Sequence, residues 1–486
     1  MTKKKAKAQT SLGLKIIYAI LIAAQAFMSV LFLSSLAKLN ILQLWQFWLT
    51  AGALGFFLIL NGLILLVLRR SRIAKIFCAI ISIVVIAACA FAFRYVLQTI
   101  SFVESITSNN YETATYQVRV LKDSKIQNID QLAKQKIGFL ATNPNLDDTK
   151  NALRNAIEYK DTDYDELGTL ILGLTDKKVE AVVVGQSYLD LLEEAENSFE
   201  NDTRSIYEFE VKIEGTDARD AVANIAIDPF ILYISGSDSR GSITQRARSD
   251  VNILVVVNPK EAKILLVNVP RDFYVQLHGT TGLKDKLAHA GLYGVQMSKA
   301  TIEDLLGIKI NYTLKVGFET VLRVVDEIDG IEIDSPKAYT STSPYCNFRE
   351  GKQTVNSACA LVFARTRKIY PYGGDRQRGK NQQQMLASII EKVTDPHYLT
   401  RYNKILKAAE GTFETSLTYD EITTFVRHQL NDLRHWKIES IQVDGPGAMM
   451  PTYSWGASRP LWCFIPDEST ITAAQEKIAE YLEAGS

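Results

Sequence analysis

A chain of 486 residues exceeds what one ordinary hydrophobic core holds, so two or three folding units are expected. Fifty-four basic residues balance 54 acidic ones, and this neutrality gives no bias toward nucleic acid. Five cysteines form no CxxC pair and five histidines are scattered, which argues against a zinc site.

The chain begins with the short basic run MTKKKAKAQ. Three apolar stretches follow, at about residues 14–36, 46–68 and 74–95. Each is near the roughly 20 residues that cross a hydrocarbon core. A cleaved signal peptide would account for the first alone, not for three in a row. Lys3, Lys4, Lys5 and Lys7 precede the first span, and Arg69, Arg70, Arg72 and Lys75 lie between the second and third. Loop 37–45 carries only Lys38. The positive-inside rule therefore places the N-terminus and the Arg69–Arg72 loop in the cytoplasm and everything after about residue 97 outside. Too little chain then remains on the cytoplasmic side for a DNA-binding domain.

Residues 97–112 read as a polar helix or linker leaving the membrane. From about 115 to 212, strand and helix patterns alternate. YQVRVL, KIGFLA and VEAVVVG predict strands; NIDQLAKQ, DTKNALRNAIEY and QSYLDLLEEAENSF predict helices. This small α/β unit has no glycine-rich phosphate loop and no cluster of catalytic residue types, so it reads as a spacer or partner-binding module.

A second α/β unit begins near 228, after a boundary at about 213–227. FILYISG, VNILVVVNP and KILLVNVP are three apolar strands, a composition that suits a sheet covered on both faces. GVQMSKATIEDLLG predicts a helix ending at Gly307, and ETVLRVVDEIDG one ending at Gly330. YTLKVGF and WKIESIQVDG predict further strands. NQQQMLASIIEKV and residues 401–409, 418–430 and 470–483 predict helices.

Two charged stretches stand out. Residues 234–259 bring Asp238, Arg240, Arg246, Arg248 and Asp250, with Arg271 close behind in VNVPRD. Residues 363–384 bring Arg365, Arg367, Asp375, Arg376, Arg378, Gln382 and Gln383. Gly373 and Gly374 allow the loop within the second stretch to turn sharply. Ligands bind at strand ends of open α/β sheets, and the first stretch flanks such ends. A planar, permanently charged guanidinium matches phosphate oxygens, so arginines gathered there predict a phosphate site. Carboxylates within it would repel a phosphate unless a cation intervened, which suggests a hard divalent ion such as magnesium. The plainer reading is a surface of salt-bridged arginines. No serine–histidine or cysteine–histidine pair lies in these stretches, so a metal- and arginine-stabilised phosphoryl transfer fits better than a covalent intermediate.

GSDSR, the RARSD run, VPRD, the helix-borne ARTR and DRQRGKNQQ, in this order, resemble the LytR–CpsA–Psr family. Three membrane spans with an extra domain are similar to the capsule-locus members of that family. The motif resemblance covers about residues 228–395. It implies an α/β fold: a three-helix membrane anchor over 1–97, a small accessory extracytoplasmic α/β domain with linkers over 98–227, and an α/β/α catalytic domain with a central mixed sheet over 228–486. It implies transfer of capsular polysaccharide or a related glycopolymer from a polyprenyl-pyrophosphate carrier to peptidoglycan, with magnesium, or manganese in its place. By resemblance, Asp238 and Asp250 ligand the metal, and Arg248, Arg271, Arg365, Arg367 and Arg378 grip the pyrophosphate. Arg248, Asp250, Arg271, Arg365 and Arg367 form the catalytic group, Asp375 orients arginines, and Gln382 bonds the head group. Asn381 departs from the family pattern, where many members carry arginine before the paired glutamines. The expected partners are the lipid-linked glycan, peptidoglycan, the membrane and capsule synthesis proteins, with no nucleic acid. A scaffold that binds lipid-linked polymer and a polyprenyl-pyrophosphate phosphatase remain the alternatives.

Several residues have plainer readings. Arg246 and Arg376 are expected to stand outside the site and to tolerate alanine. His289 reads as a structural loop histidine, and Lys286 and Lys299 as solvated lysines. Cys78 and Cys89 read as packing residues within the third span. Cys346 and Cys359 flank a turn-rich stretch facing an oxidising exterior, so a disulfide between them is one outcome, with Cys463 left over and buried.

Overall fold

The structure, a computed structural model, describes residues 12–67, 72–107, 111–194, 198–215, 219–237, 242–341, 343, 345–367, 374–432 and 434–483. Two compact units emerge: residues 1–104 with 419–433, and residues 105–418 with 434–486.

The first unit is built on α1 (Leu12–Leu39), α2 (Leu44–Gly62, continued by a π-helical turn Leu63–Val67) and α3 (Arg72–Thr107). All three are long and apolar enough to cross a membrane, with mean hydropathies of 2.4, 2.2 and 2.9. They constitute a membrane anchor. α3 is one helix through Thr107, so the polar stretch after residue 97 continues the third span instead of forming a linker. Within the bundle, Asn61 Nδ2 donates to Gln25 Oε1 at 3.3 Å and Ser82 Oγ at 3.0 Å, one partner on each neighbouring helix. Lys38 and Glu104 join the ends of α1 and α3 at 2.8 Å. The helix Tyr419–Asn431 belongs to this unit. Its Tyr419 packs on Leu36, Leu39, Val96 and Ile100, and its Arg427 donates to Asn40 Oδ1 at 3.1 Å.

Among the described residues, the second unit is built on two large sheets, with four two-stranded ones beside them. The smaller has the order β3-β2-β4-β1-β5, from β1 (Tyr111–Leu121), β2 (Lys136–Leu140), β3 (Lys160–Tyr164), β4 (Ala181–Gly185) and β5 (Thr203–Glu214). β2 runs parallel to β3 and β4, whereas β1 is antiparallel to β4 and β5. The expected 128–135 helix is only a 3-10 turn, Ile129–Leu132, because Lys134 takes a left-handed φ of 62°. β3 is not legible in the sequence: KDTDY has Tyr164 as its single apolar residue and lacks an apolar alternation.

The larger sheet has the order β10-β9-β6-β7-β8-β11. Its strands are β6 (Phe230–Ser237), β7 (Val251–Asn258), β8 (Lys263–Asn268), β9 (Tyr312–Gly317), β10 (Phe413–Thr415) and β11 (Lys437–Gln442). The three apolar runs form its antiparallel centre, with β9 parallel to β6 and β11 parallel to β8. Tyr233, Leu254, Val256, Leu265 and Val267 share one face, because side chains alternate along a strand. They pack against Ile302 and Leu306 of the helix Val295–Leu306 and Ile471 and Ile478 of the helix Glu468–Glu483. Each apolar side chain so buried contributes about 1.5–3 kcal/mol. The helix Asp375–Thr394 approaches β8 and β11 through Gly379, where a Cβ would fall 2.3 Å from Asn268 Nδ2. Gln383 secures this seating by donating to Leu266 O at 2.9 Å and Ile441 O at 2.7 Å, on adjacent strands.

Candidate active site

The first charged stretch is held by a buried polar network. Asp250 N donates to Gly236 O at 2.8 Å, tying the entry of β7 to β6. Ser249 Oγ lies 2.8 Å from Ser235 Oγ and 3.0 Å from Tyr233 Oη, and donates to Asn252 Oδ1 at 2.8 Å. These residues are nearly inaccessible, so their hydrogen bonds specify the local path of the chain. Arg248 and Asp250 flank Ser249 and are thereby positioned at the strand end.

Arg271 leaves β8 and donates through Nη1 to Asp250 Oδ1 at 2.5 Å. Its Nε lies 3.6 Å from Asp272 Oδ2, and Lys286 Nζ lies 3.1 Å from Asp272 Oδ1. Across the site, the helix Ser357–Arg365 is capped by Asn356, which accepts from Cys359 N at 2.9 Å. It leads directly to Arg367. Gly374, at φ 91°, then turns the chain into the next helix, whose first residue is Asp375. Arg378, one turn on, reaches back to Asp375 Oδ1 at 2.5 Å, and Arg367 Nε is 4.0 Å from the same oxygen.

These groups share one electrostatic environment. Burial pushes the Asp375 carboxyl above its ordinary range, against the pull of Arg378; Asp272 adds to the rise, while Arg271 and Arg367 oppose it. Burial lowers Arg378 to about 10, with Asp375 opposing and Arg271 and Arg367 adding to the fall. Arg378 still carries its charge at neutral pH. Two segments distant in sequence thus place Asp250, Arg271, Arg367, Asp375 and Arg378 around one volume. Arg271 and Arg378 are buried, whereas the Arg367 side chain is 48% exposed and free to meet a ligand at the rim.

Other expected residues fall differently. Arg248 is half-buried, two residues before Asp250, and Gln382 is buried. The exposed Arg365 lies over the Phe318 ring, 4.9 Å from its centroid, in a cation–π contact. Asp238 and Arg240 lie outside the described residues, as does Gly373. Among the described residues no group of three or more His, Cys, Asp or Glu side chains could hold a metal ion. Asp250 keeps one oxygen beyond its bond to Arg271, which suits an ion that takes one or two carboxylates and draws its other ligands from phosphate and water.

Lys286 corrects its sequence reading. It is 4% exposed and paired to Asp272, so it belongs to the charged cluster, not to solvent. Lys299 is likewise buried, 3.9 Å from Glu303. Asp272 joins the cluster without standing out in the sequence, where its position beside Arg271 at a strand end is the only signal. His289 is structural as expected: fully buried, with Nδ1 2.6 Å from Asp285 Oδ1. Asn381 is buried and donates to Phe363 O at 2.9 Å, tying the two arginine-bearing helices together. Arg376 points away, to Asp444 at 2.7 Å and Gly445 O at 2.9 Å. Arg246 also lies outside the site, but it is bound internally to Glu112 at 2.8 Å, so it is no neutral control. Cys346 and Cys359 form a disulfide, with Cα atoms 5.4 Å apart, and Cys463 is free and buried.

This sheet-end cluster agrees with a family assignment. The model of the LytR_cpsA_psr family matches residues 190–466, more than half of the chain. The chain belongs to the LytR–CpsA–Psr family. A second model, described as DNA polymerase processivity factor, matches residues 72–167, less than half of the chain and beginning within α3. Curated relatives include TagU of Bacillus mycoides (strain KBAB4), 30% identical over 258 residues, covering 53% of this chain and 79% of the relative. TagU of Bacillus subtilis (strain 168) is 30% identical over 257 residues, covering 53% and 79%. Both are named polyisoprenyl-teichoic acid–peptidoglycan teichoic acid transferase. Among solved structures, B. subtilis TagV is similar at 26% identity with a TM-score of 0.44, covering 53% of this chain and 99% of that one. Protein gbs0355 of Streptococcus agalactiae is similar at 25% identity with a TM-score of 0.45, covering 53% and 88%.

Proposed function

We propose that this chain is a membrane-anchored phosphotransferase that moves a glycopolymer from a polyprenyl-pyrophosphate carrier to peptidoglycan. The observation that carries this reading is the convergence of Asp250, Arg271, Arg367, Asp375 and Arg378 at one sheet end. A wall hydroxyl attacks the phosphorus that bears the glycan. A new P–O bond to the wall forms, the anhydride P–O bond breaks, and polyprenyl phosphate leaves; the hydroxyl proton passes to solvent. Arg271 and Arg378 bind the pyrophosphate and hold the charge that develops on the leaving group, Arg248 and Arg367 close the rim, and Arg365 extends the cationic wall. Asp375 fixes the Arg378 fork, and Gln382 bonds the head group. Asp250 with Asp238 would hold magnesium, or manganese in its place, which neutralises phosphate charge when bound.

The basic residues around the first and third spans support an extracytoplasmic placement for the chain after α3, where the wall acceptor lies. Capsular polysaccharide is the proposed glycopolymer, and capsule synthesis proteins the further partners. The test is transfer by the full chain in lipid nanodiscs, with a lipid-linked oligosaccharide as donor and soluble wall glycan as acceptor. Joined product that is lost in Arg271→Ala is expected. Release of phosphate without joined product would mean a phosphatase, and tight lipid binding without turnover a scaffold.

A further inference from the structure

A cavity of about 440 Å3 lies between the smaller sheet and the larger one. None of its lining residues belongs to the arginine cluster. Its size falls in the range of small-molecule sites, roughly 300–1,000 Å3. Glu112 of β1, Arg246 and Lys315 of β9 line one wall, and their side chains are only 9–15% exposed.

The charges in this wall decide which ligand fits. The first turn of the 12-residue helix Val295–Leu306 opens here, a place where backbone N–H groups and the helix dipole favour an anion. That place is already filled. Glu112 Oε1 accepts from Val295 N at 3.3 Å and lies 3.8 Å from Lys315 Nζ, while Glu112 Oε2 accepts from Arg246 Nε at 2.8 Å. Lys315 also donates to Gln245 O at 2.8 Å. Arg246, Lys315 and the helix end are therefore neutralised within the protein, and an incoming anion would face the Glu112 carboxylate. The rest of the lining adds Glu214, Arg219 and Glu414, so that three carboxylates and three cations line the cleft, together with the Gln296 amide, the Ser416 hydroxyl and the exposed Tyr111 ring, over which Lys212 Nζ lies 5.3 Å from the centroid. Amide and hydroxyl groups bond in both senses, and an aromatic face packs on apolar C–H groups. That combination suits a polyhydroxylated ring.

We infer that this cleft is a saccharide subsite, taking an uncharged sugar residue. The chemistry stands on the cleft itself; the origin of the sugar, donor polymer or wall acceptor, rests on the function proposed above. The cleft's β1 wall is hydrogen-bonded to the chain that leads into the charged cluster. Thr113 N donates to Thr244 O at 2.9 Å and Arg246 N to Thr113 O at 2.8 Å, so β1 borders the strand of chain that leads through Arg248 to Asp250.

The experiment uses the full chain in nanodiscs and three soluble probes: oligosaccharide cut from the polymer, peptide-free glycan fragments from digested peptidoglycan, and inorganic pyrophosphate. Ligand-observed NMR reads binding. Gln296→Trp fills the cleft from the first turn of the helix, and Tyr111→Ala alters an exposed ring if the first variant folds poorly. We expect at least one saccharide probe to bind, with roughly tenfold loss or more in either folded variant and unchanged polyprenyl-phosphate binding. Binding of the polymer fragment alone assigns the donor glycan, and of the wall fragment alone the acceptor. Binding of neither, equal binding by both folded variants, or pyrophosphate binding abolished by Gln296→Trp would overturn the inference. Saccharide binding without any polyprenyl-phosphate binding to the unaltered chain would sink the proposed function and leave the subsite standing.

Discussion

Arg271 Nη1 donates to Asp250 Oδ1 at 2.5 Å, joining the segment after β8 to the residue that enters β7. Both side chains are largely buried. Asp250 thus has a structural duty beside the metal-binding one proposed for it. Removing one partner of a buried pair leaves an uncompensated charge, at a cost of about 3–5 kcal/mol. Asp250→Ala should therefore lower the unfolding midpoint even in metal-free buffer, whereas Asp250→Asn, which keeps an acceptor, should lower it less. Thermal unfolding of the full chain, with and without magnesium, reads both effects. Equal midpoints for Asp250→Ala and the unaltered chain without metal would rule out the pairing role.

Arg271 and Arg376 provide a matched comparison. Arg271 sits in the cluster; Arg376 pairs with Asp444 outside it. Arg271→Ala should weaken polyprenyl-phosphate binding roughly tenfold or more, and Arg271→Lys should rescue poorly, because an ammonium cannot reproduce a bidentate fork. Arg376→Ala loses a partly exposed pair, worth about 1 kcal/mol or less, and should keep its affinity. Equal losses in Arg271→Ala and Arg376→Ala, measured by lipid binding in nanodiscs, would mean that diffuse positive charge binds the ligand.

Asp375 makes stability depend on pH. Its folded carboxyl titrates above the ordinary range because burial disfavours the charge. The folded protein then binds a proton more tightly than the unfolded chain. This contribution is fully present below the unfolded carboxyl value and is lost as pH rises through the raised folded value. Asp375→Asn abolishes the titration, so its midpoint should fall less over that interval than that of the unaltered chain. Parallel midpoint-versus-pH curves for the two proteins would refute the assignment.

The Cys346–Cys359 disulfide closes a short loop of sequence separation 13 and anchors the start of the helix that leads to Arg365 and Arg367. A closed loop of this length stabilises a fold by about 3 kcal/mol, chiefly by restricting the unfolded chain. Cys346→Ser with Cys359→Ser should lower stability by up to that amount. The same double substitution should weaken lipid binding less than Arg271→Ala does, since it leaves the buried arginines in place. Denaturant unfolding and lipid binding on one preparation test both statements.

Much of this architecture is determined by local sequence. Three apolar runs of membrane length, the β-branched strands FILYISG, VNILVVVNP and KILLVNVP, and the helix ending at Gly307 follow from periodicity and backbone preference, whereas the helix expected to end at Gly330 stops at Glu327. The residue types of the site are also local information, since only arginine supplies so many planar, permanently charged forks. Which arginines enter the site is not. Arg376 and Arg378 are two positions apart on one helix, yet one pairs with Asp444 and the other with Asp375, because successive helical residues point about 100° apart and the sheet covers one side. Lys286 reads as a solvated lysine until Asp272 is placed 3.1 Å away, and Arg246 reads as a spare surface charge until β1 brings Glu112 against it from 134 residues earlier. Charge pairing depends on distances of a few ångströms, and for these residues sheet order and strand register set those distances, not spacing along the chain.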